Sequence, residues 1–306
     1  MMKPIIFEYD GRYEVNDVEK LQMPEYGSLS EEDWEYFLRF KPQRFLSEID
    51  NSLRAHNRFF VDNRFNKLLY YYTTNVRAVN EFEYIIPMDT VLFRARIYDE
   101  LNAEEKAKKT VDGAFNGYDR DNSFVPPTNV HCSQGRINPD GIRYLYLAST
   151  PECAVHEVTP VLKSWVSVAK IRFLENARIF NLAKSVLSNT FDDIEKSKWA
   201  MNTMSCLDSL FSRPCRESSD YLICQYVAEF IKNIGYDGVR YHSSRVLQRF
   251  CDESFVNYAI FNYDNKCEPI SSDLLYVFDS RLEIMDYQEL DSKTYHGEIT
   301  INETPV

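Results

Sequence analysis

The hydrophobic period of this chain changes at Pro87, and that switch constrains the fold more than any single residue does. Before it, apolar side chains recur at helical spacing. Ser30 and Asp33 form a capping-box pattern ahead of Trp34, Phe37 and Leu38. Pro42 interrupts, and Phe45, Ile49 and Leu53 then fall on every fourth residue. Phe65, Leu68, Leu69 and Tyr72 mark a further helix. After Pro87 the segment TVLFRARIYD alternates, with Val91, Phe93, Ala95 and Ile97 on one face and Leu92, Arg94, Arg96 and Tyr98 on the other. Period two is a strand. Arg94 and Arg96 share a face, their Cα atoms roughly 6–7 Å apart at ~3.3 Å per residue. On spacing alone that face is either solvated or part of a site. The expected organisation is a helical region over residues 1–86 and a mixed region over 87–306.

The mixed region carries the chemistry-bearing residues. Residues 112–135 are polar and rich in Gly, Asn and Pro, a long loop of the kind that often serves a site. Asn138-Pro139-Asp140-Gly141 is a turn, and IRYLYLA after it reads as a strand. Thr150 caps a short helix with Pro151 in its first position, and Pro160 marks its end. On that helix Glu157 shares a stripe with Cys153 and Ala154. A carboxylate on an apolar stripe is costly unless paired, so Glu157 is either salt-bridged or part of a site. VSVAKIRF is a strand. Residues 184–217 read as irregular with helical pieces. SSDYLICQYVAEFIKNIG is an amphipathic helix closed by Gly235. In YDGVRYHSS, Val239, Tyr241 and Ser243 share a strand face; VNYAIFNY and LLYVFDS are further strands, and the tail after about Leu290 is polar. Strands and helices mixed in this order give an α+β fold.

Composition narrows the function. With 35 basic and 47 acidic residues the net charge is -12, which argues against direct nucleic-acid binding and against an anionic membrane surface. Any anionic ligand must be held by local arginines. No apolar run approaches ~18 residues and the N-terminus has no secretory h-region, so a cytoplasmic protein is expected. Seven cysteines without a C-x-x-C pair read as reduced thiols, with no metal expected. Neither G-x-G-x-x-G, nor the Walker sequence, nor G-x-S-x-G occurs. The Arg-x4–6-His pattern of helical nucleases is also missing, since Arg54 and His56 stand only two apart.

Read in order, FRARI, VPP, GRINPDGIRYLYLA, ECAVHEV, VSVAKI, QYVAEFIKNIGYDGVRYHSS and NYAIF resemble the RES domain family, named for an Arg, a Glu and a Ser. The resemblance runs from about Thr90 to Asn262. It implies an ADP-ribosyltransferase-like α+β fold with a mixed or antiparallel β core and flanking helices, preceded here by a helical extension. It also implies consumption of NAD, as substrate, by a toxin of a bacterial toxin–antitoxin pair, and hence a neutralising protein partner. By the same resemblance, Arg94 is the family arginine, with Arg96 as alternative. Arg136 and Asn138 belong to the Gly-Arg-x-Asn turn, where Ile137 stands in place of the usual aromatic residue. Tyr146 is the strand tyrosine, Glu157 the glutamate and Ser243 the serine. His242 replaces the usual Pro before Ser243, which leaves Ser244 as an alternative.

The chemistry agrees with this assignment. Cleavage of the nicotinamide–ribose bond passes through an oxocarbenium-like state, which a carboxylate such as Glu157 stabilises. A pyrophosphate calls for bidentate donors, a role for Arg94 and Arg136. Tyr146 offers a flat face to nicotinamide, and Ser243 a hydrogen bond to carboxamide or ribose. Three readings follow: NAD cleavage with phosphate or water as acceptor, ADP-ribosyl transfer to a protein, and an inert nucleotide-binding module. The front helices are open to dimerisation as a homodimer, to covering the pocket or to sensing a trigger.

Overall fold

The structure, a computed structural model, describes residues 29–58, 61–75, 78, 82–98, 114–125, 131–183, 193–213, 218–243 and 255–277. Pro126 and Pro127 of the long loop, Ser244 and the tail after Leu290 lie outside these residues.

The chain opens with helices α1 (Glu31–Leu38), α2 (Pro42–Ala55) and α3 (Asn63–Thr74). The capping box forms: Ser30 Oγ accepts from the Asp33 amide at 3.2 Å, and Asp33 Oδ2 accepts from the Ser30 amide at 3.0 Å. Pro42 starts α2, sitting where a helix needs no amide donor. Then follow β1 (Glu83–Ile86), β2 (Val91–Tyr98), a single-turn α4 (Arg120–Ser123), β3 (Leu145–Ala148), α5 (Pro151–Val158), β4 (Ser164–Phe173) and β5 (Ala177–Asn181). The chain continues through α6 (Ile194–Ser212), α7 (Leu222–Asn233), β6 (Gly238–His242), β7 (Val256–Ile260) and β8 (Cys267–Val277).

The eight strands of the described residues form one mixed sheet in the order β1-β5-β6-β7-β3-β2-β4-β8. Only β5 and β6 run parallel; the other pairs are antiparallel. The weak seam lies between β2 and β3, which share a single registered pair, Phe93 with Ala148. By contrast, every residue of β2 pairs with β4. The two strands therefore part beside that pair and leave a gap in the sheet.

Three apolar clusters hold the layers. The largest joins α1, α2, α3, α6 and α7 to Phe180, Val239, Tyr241, Ala259 and Phe261 on one sheet face. The second contains Ile171, Phe173, Ile179, Val256, Tyr258 and Ile260. The third packs Cys153, Ala154 and Val155 of α5 onto Ala95, Ala148, Val166 and Val168. The front helices join the first cluster directly. Phe37 stacks on Trp199 at 4.7 Å, the Trp199 indole N–H donates to the Phe40 carbonyl at 2.8 Å, and the Tyr72 hydroxyl donates to the Ala200 carbonyl at 2.9 Å.

The structure departs from the sequence expectation in four places. The helical pieces expected within the irregular segment 184–217 are one continuous 19-residue helix, α6. Its Ser, Asn and Asp residues mask a buried stripe of Trp199, Thr203, Leu207 and Phe211 at intervals of four. The strands β1 and β5, four and five residues long, went unread; neither is long enough to show a period. β8 starts at Cys267, well before the LLYV segment. β3 is shorter than IRYLYLA, beginning at Leu145.

Among the described residues no helix is long and apolar enough to cross a membrane, and no group of three or more His, Cys, Asp or Glu side chains could hold a metal ion. The described cysteines, Cys132, Cys153, Cys206, Cys224 and Cys267, are free thiols.

Candidate active site

The gap beside the β2–β3 pair is a cleft of about 250 Å³. Phe93, Arg94 and Ala95 of β2 line one wall, Tyr146, Leu147 and Ala148 of β3 another, and Ala154, Glu157 and Val158 of α5 a third, with Tyr241 and Asn257 completing the lining. Arg94, Tyr146 and Glu157, distant in sequence, thus meet at one cavity. Ser243 joins them by touching Glu157.

α5 is built to present Glu157. Thr150 Oγ accepts from the Cys153 amide at 3.1 Å and closes the helix start, while Thr159 turns the chain left-handed with φ 43° and closes its end. The stripe of Cys153, Ala154 and Val155 is buried, which places Glu157, one turn beyond Cys153, at the seam. Its carboxylate has no ion pair among the described residues. Instead Oε1 accepts from Ser243 Oγ at 2.5 Å and from Asn257 Nδ2 at 2.7 Å. Two neutral donors, and no ion pair among the described residues, thus hold the carboxyl group.

Arg94 is the complementary group. Its Nη1 is buried and has no hydrogen-bond partner among the described residues. Burial, with the neighbouring Arg96 charge adding to it, lowers the Arg94 pKa to about 10. It remains cationic at neutral pH. A buried guanidinium donor without a partner is costly, and an anion within reach would offset that cost.

Arg96, on the same face of β2, is directed elsewhere. Its Nη1 donates to the Asn122 carbonyl at 2.5 Å and its guanidinium lies 4.9 Å from the Tyr118 ring centroid. It secures the segment around α4.

The Gly-Arg-x-Asn turn supports the cleft from behind. The Tyr146 hydroxyl accepts from the Ile137 and Asn138 amides at 3.1 and 3.2 Å and donates to Asn138 Oδ1 at 2.8 Å. Asn138 Nδ2 serves the carbonyls of Ser133, Pro139 and Ile142. Asn138 is thus committed to its own turn and reaches the cleft only through Tyr146. Gly135 must stay small, since a Cβ there would lie 2.3 Å from Asn138 Oδ1. Gln225 of α7 ties the turn down through the Gly135 and Asn138 carbonyls. Arg136 donates through Nη1 to the Arg213 carbonyl at the end of α6, a favourable place for a cation. Burial pushes the Tyr146 and Tyr241 phenols up, and the Arg136 charge works against that shift at both, so it sits near these rings while lying off the cleft lining.

Ser243 follows β6 directly, and α6 fixes it. Asp208 Oδ1 accepts from the His242 amide at 3.1 Å and Asp208 Oδ2 pairs with His242 Nδ1 at 2.7 Å, while Ser212 Oγ donates to the His242 carbonyl at 2.8 Å. The rigidity that a Pro would give before the serine comes here from three side-chain contacts. Asp208→Ala leaves the half-buried His242 amide unsatisfied. We expect a loss of about 1–3 kcal/mol in urea unfolding.

Asn257 and Tyr241 were not singled out as site residues from sequence. The signal for Asn257 was present: on β7 its neighbours on the same face, Ala259 and Phe261, belong to the core, so a polar residue there demands a partner. Tyr241 looked like any core aromatic.

No curated protein matches the chain. The family model of the RES domain matches residues 110–279. That span exceeds half of the 306 residues and takes in Tyr146, Glu157, Ser243 and Asn257, while β2 with Arg94 precedes it. The match covers more than half of the chain, and the mixed eight-stranded sheet with its helices agrees with it: the chain belongs to the RES domain family, ADP-ribosyltransferase-like in fold and NAD-using at the level of the family.

Proposed function

We propose that the cleft cleaves the nicotinamide–ribose bond of NAD, with phosphate or water as acceptor, and that the protein acts as a bacterial toxin or defence effector on the cytoplasmic NAD pool. The observation that carries this reading is the pairing of unlike unmet groups in one cavity. Arg94 brings a buried cation with an unpartnered Nη1, and Glu157 a carboxylate whose Oε2 has no hydrogen bond among the described residues. NAD is a molecule with anionic pyrophosphate and a sugar carbon that turns cationic as nicotinamide leaves. The cleft is smaller than the ~300 Å³ at the low end of ligand pockets. It suits the nicotinamide riboside end of NAD and leaves the adenosine outside.

In the reaction the bond from the anomeric carbon to the nicotinamide nitrogen breaks, and its electron pair leaves with nicotinamide. Glu157 stabilises the positive charge this leaves on the sugar and orients a ribose hydroxyl. The acceptor oxygen then bonds the anomeric carbon and gives up its proton to solvent. Arg94 holds a phosphate oxygen, and Tyr146 and Tyr241 flank the flat nicotinamide ring. An enzyme of this kind depletes its host's cofactor, so a neutralising protein partner is part of the proposal.

The test is mass spectrometry of purified protein incubated with NAD, with and without inorganic phosphate. Free nicotinamide together with ADP-ribose 1″-phosphate or ADP-ribose supports the reading and names the acceptor. Intact NAD in both conditions overturns it. Arg94→Met should raise the NAD KM at least ~10-fold, and Arg94→Lys should recover only part of this because a point charge does not replace a fork of donors.

A further inference from the structure

Asn257 lies in the middle of the sheet, its backbone opposite Ala148 of β3 and Tyr241 of β6, and it is 4% exposed. A strand interior is a poor place for asparagine. A buried amide must also satisfy an acceptor and two donors. Here α5 supplies two partners, an acceptor for one amide hydrogen and a donor for the oxygen. Asn257 Nδ2 donates to Glu157 Oε1 at 2.7 Å, and Asn257 Oδ1 lies 3.6 Å from Cys153 Sγ. Burial pushes the Cys153 thiol up to about 12, with the Glu157 charge adding to the shift, so the thiol keeps its proton at neutral pH and can donate. The thiol, which also lies 3.9 Å from the Val256 carbonyl, supports the orientation in which the amide nitrogen faces the carboxylate.

Ser243 reaches the same oxygen from the end of β6. One donor alone lets a carboxylate turn about its last bond. Two donors from different strands, both on Oε1, fix its plane, and Oε2 remains without a hydrogen bond among the described residues. We propose that Asn257 is a positioning residue of the cleft reaction: its amide, oriented by the Cys153 thiol, sets the plane of the Glu157 carboxylate so that the second oxygen meets the substrate ribose. This rests on the NAD reading given above. The competing role is a plain tie between α5 and β7, which would lower stability and leave the kinetic constants of the folded enzyme alone.

The experiment compares full-length wild type with Asn257→Leu, Asn257→Asp, Cys153→Ala and Cys153→Ser. The readouts are kcat and KM for nicotinamide release, normalised to the folded fraction. Asn257→Leu should lower kcat about 10- to 100-fold, with KM for NAD within about threefold. Asn257→Asp should lose at least as much, because a second carboxylate repels the first. Cys153→Ala should lose several-fold in kcat, and Cys153→Ser, which keeps a donor, should recover most of it. An Asn257→Leu enzyme within about threefold of the wild-type kcat overturns the proposal, and equal losses in Cys153→Ala and Cys153→Ser overturn the role of the thiol. If the wild type releases no nicotinamide, the NAD reading fails, and a second measurement decides the positioning contact by itself. In a spectrum of protein labelled with 15N at asparagine, the side-chain amide signal missing in Asn257→Leu should move in both Glu157→Ala and Cys153→Ala. A signal that stays in place in either variant overturns the contact.

Discussion

Glu157→Gln should abolish NAD cleavage, lowering kcat by at least ~10³-fold, about 4 kcal/mol of transition-state stabilisation. In bound NAD the positive charge sits on the nicotinamide ring, and it moves onto the ribose only as the bond breaks. The substitution therefore removes an interaction that strengthens at the transition state, and kcat should fall far more than KM rises. Glutamine keeps an oxygen for the Ser243 hydroxyl and the Asn257 amide, so the loop and helix around it should stay in place. Glu157→Asp keeps the charge and withdraws it by one methylene. A displacement of that size costs about 10²-fold when the reacting geometry is tight. Nicotinamide release and thermal melting of both variants check the prediction. Full activity in Glu157→Gln would remove the carboxylate from the chemistry altogether.

Phe37→Ala should cost about 3–5 kcal/mol, the range for a fully buried aromatic cut back to a methyl. Phe37 has no exposed surface, stacks on Trp199 at 4.7 Å and meets Phe45 edge-on at 5.3 Å. What matters beyond the magnitude is where the loss appears. Phe37 belongs to α1, while Trp199 belongs to α6, which in turn holds His242 beside Ser243. We propose that the front helices, although separable on the sequence pattern, unfold together with the sheet. Trp34 and Trp199 report the shared cluster, and Trp165, paired across β4 and β8 with Tyr276, reports the far side of the sheet. Urea unfolding followed by fluorescence and by far-UV circular dichroism should give one coincident transition, shifted as a whole in Phe37→Ala. Two transitions, with only the helical signal displaced, would make the front an independent unit.

The parts of this fold legible in the sequence were those where a local rule acts alone. The Ser30–Asp33 box, the Thr150 cap with Pro151, and the alternation of β2 needed no knowledge of the rest of the chain. The extent of α6 was hidden because its buried stripe is interleaved with serines and an asparagine, and β1 and β5 because so few residues show no period. The site divides in the same way. Glu157 could be flagged from the cost of a carboxylate on an apolar stripe, and Arg94 from its place in a strand and the family resemblance. The family pattern could not separate Arg94 from Arg96, which look alike at period two. The structure distinguishes them by partners: Arg96 is occupied by the Asn122 carbonyl and the Tyr118 ring, whereas Arg94 Nη1 has no hydrogen-bond partner among the described residues. Asn138 illustrates a different limit. Its residue type suggests a ligand contact, yet its donors serve three carbonyls of its own turn, and hydrogen-bond direction of this kind is set only once the backbone is in place.

The most direct test is a crystal structure of Glu157→Gln soaked with NAD, since the variant should bind and not turn over. The account predicts the nicotinamide ribose within hydrogen-bond distance of residue 157, the ring against Tyr146 or Tyr241, and a pyrophosphate oxygen on Arg94 Nη1. NAD seated with its nicotinamide end away from residue 157, or its phosphates away from Arg94, contradicts it.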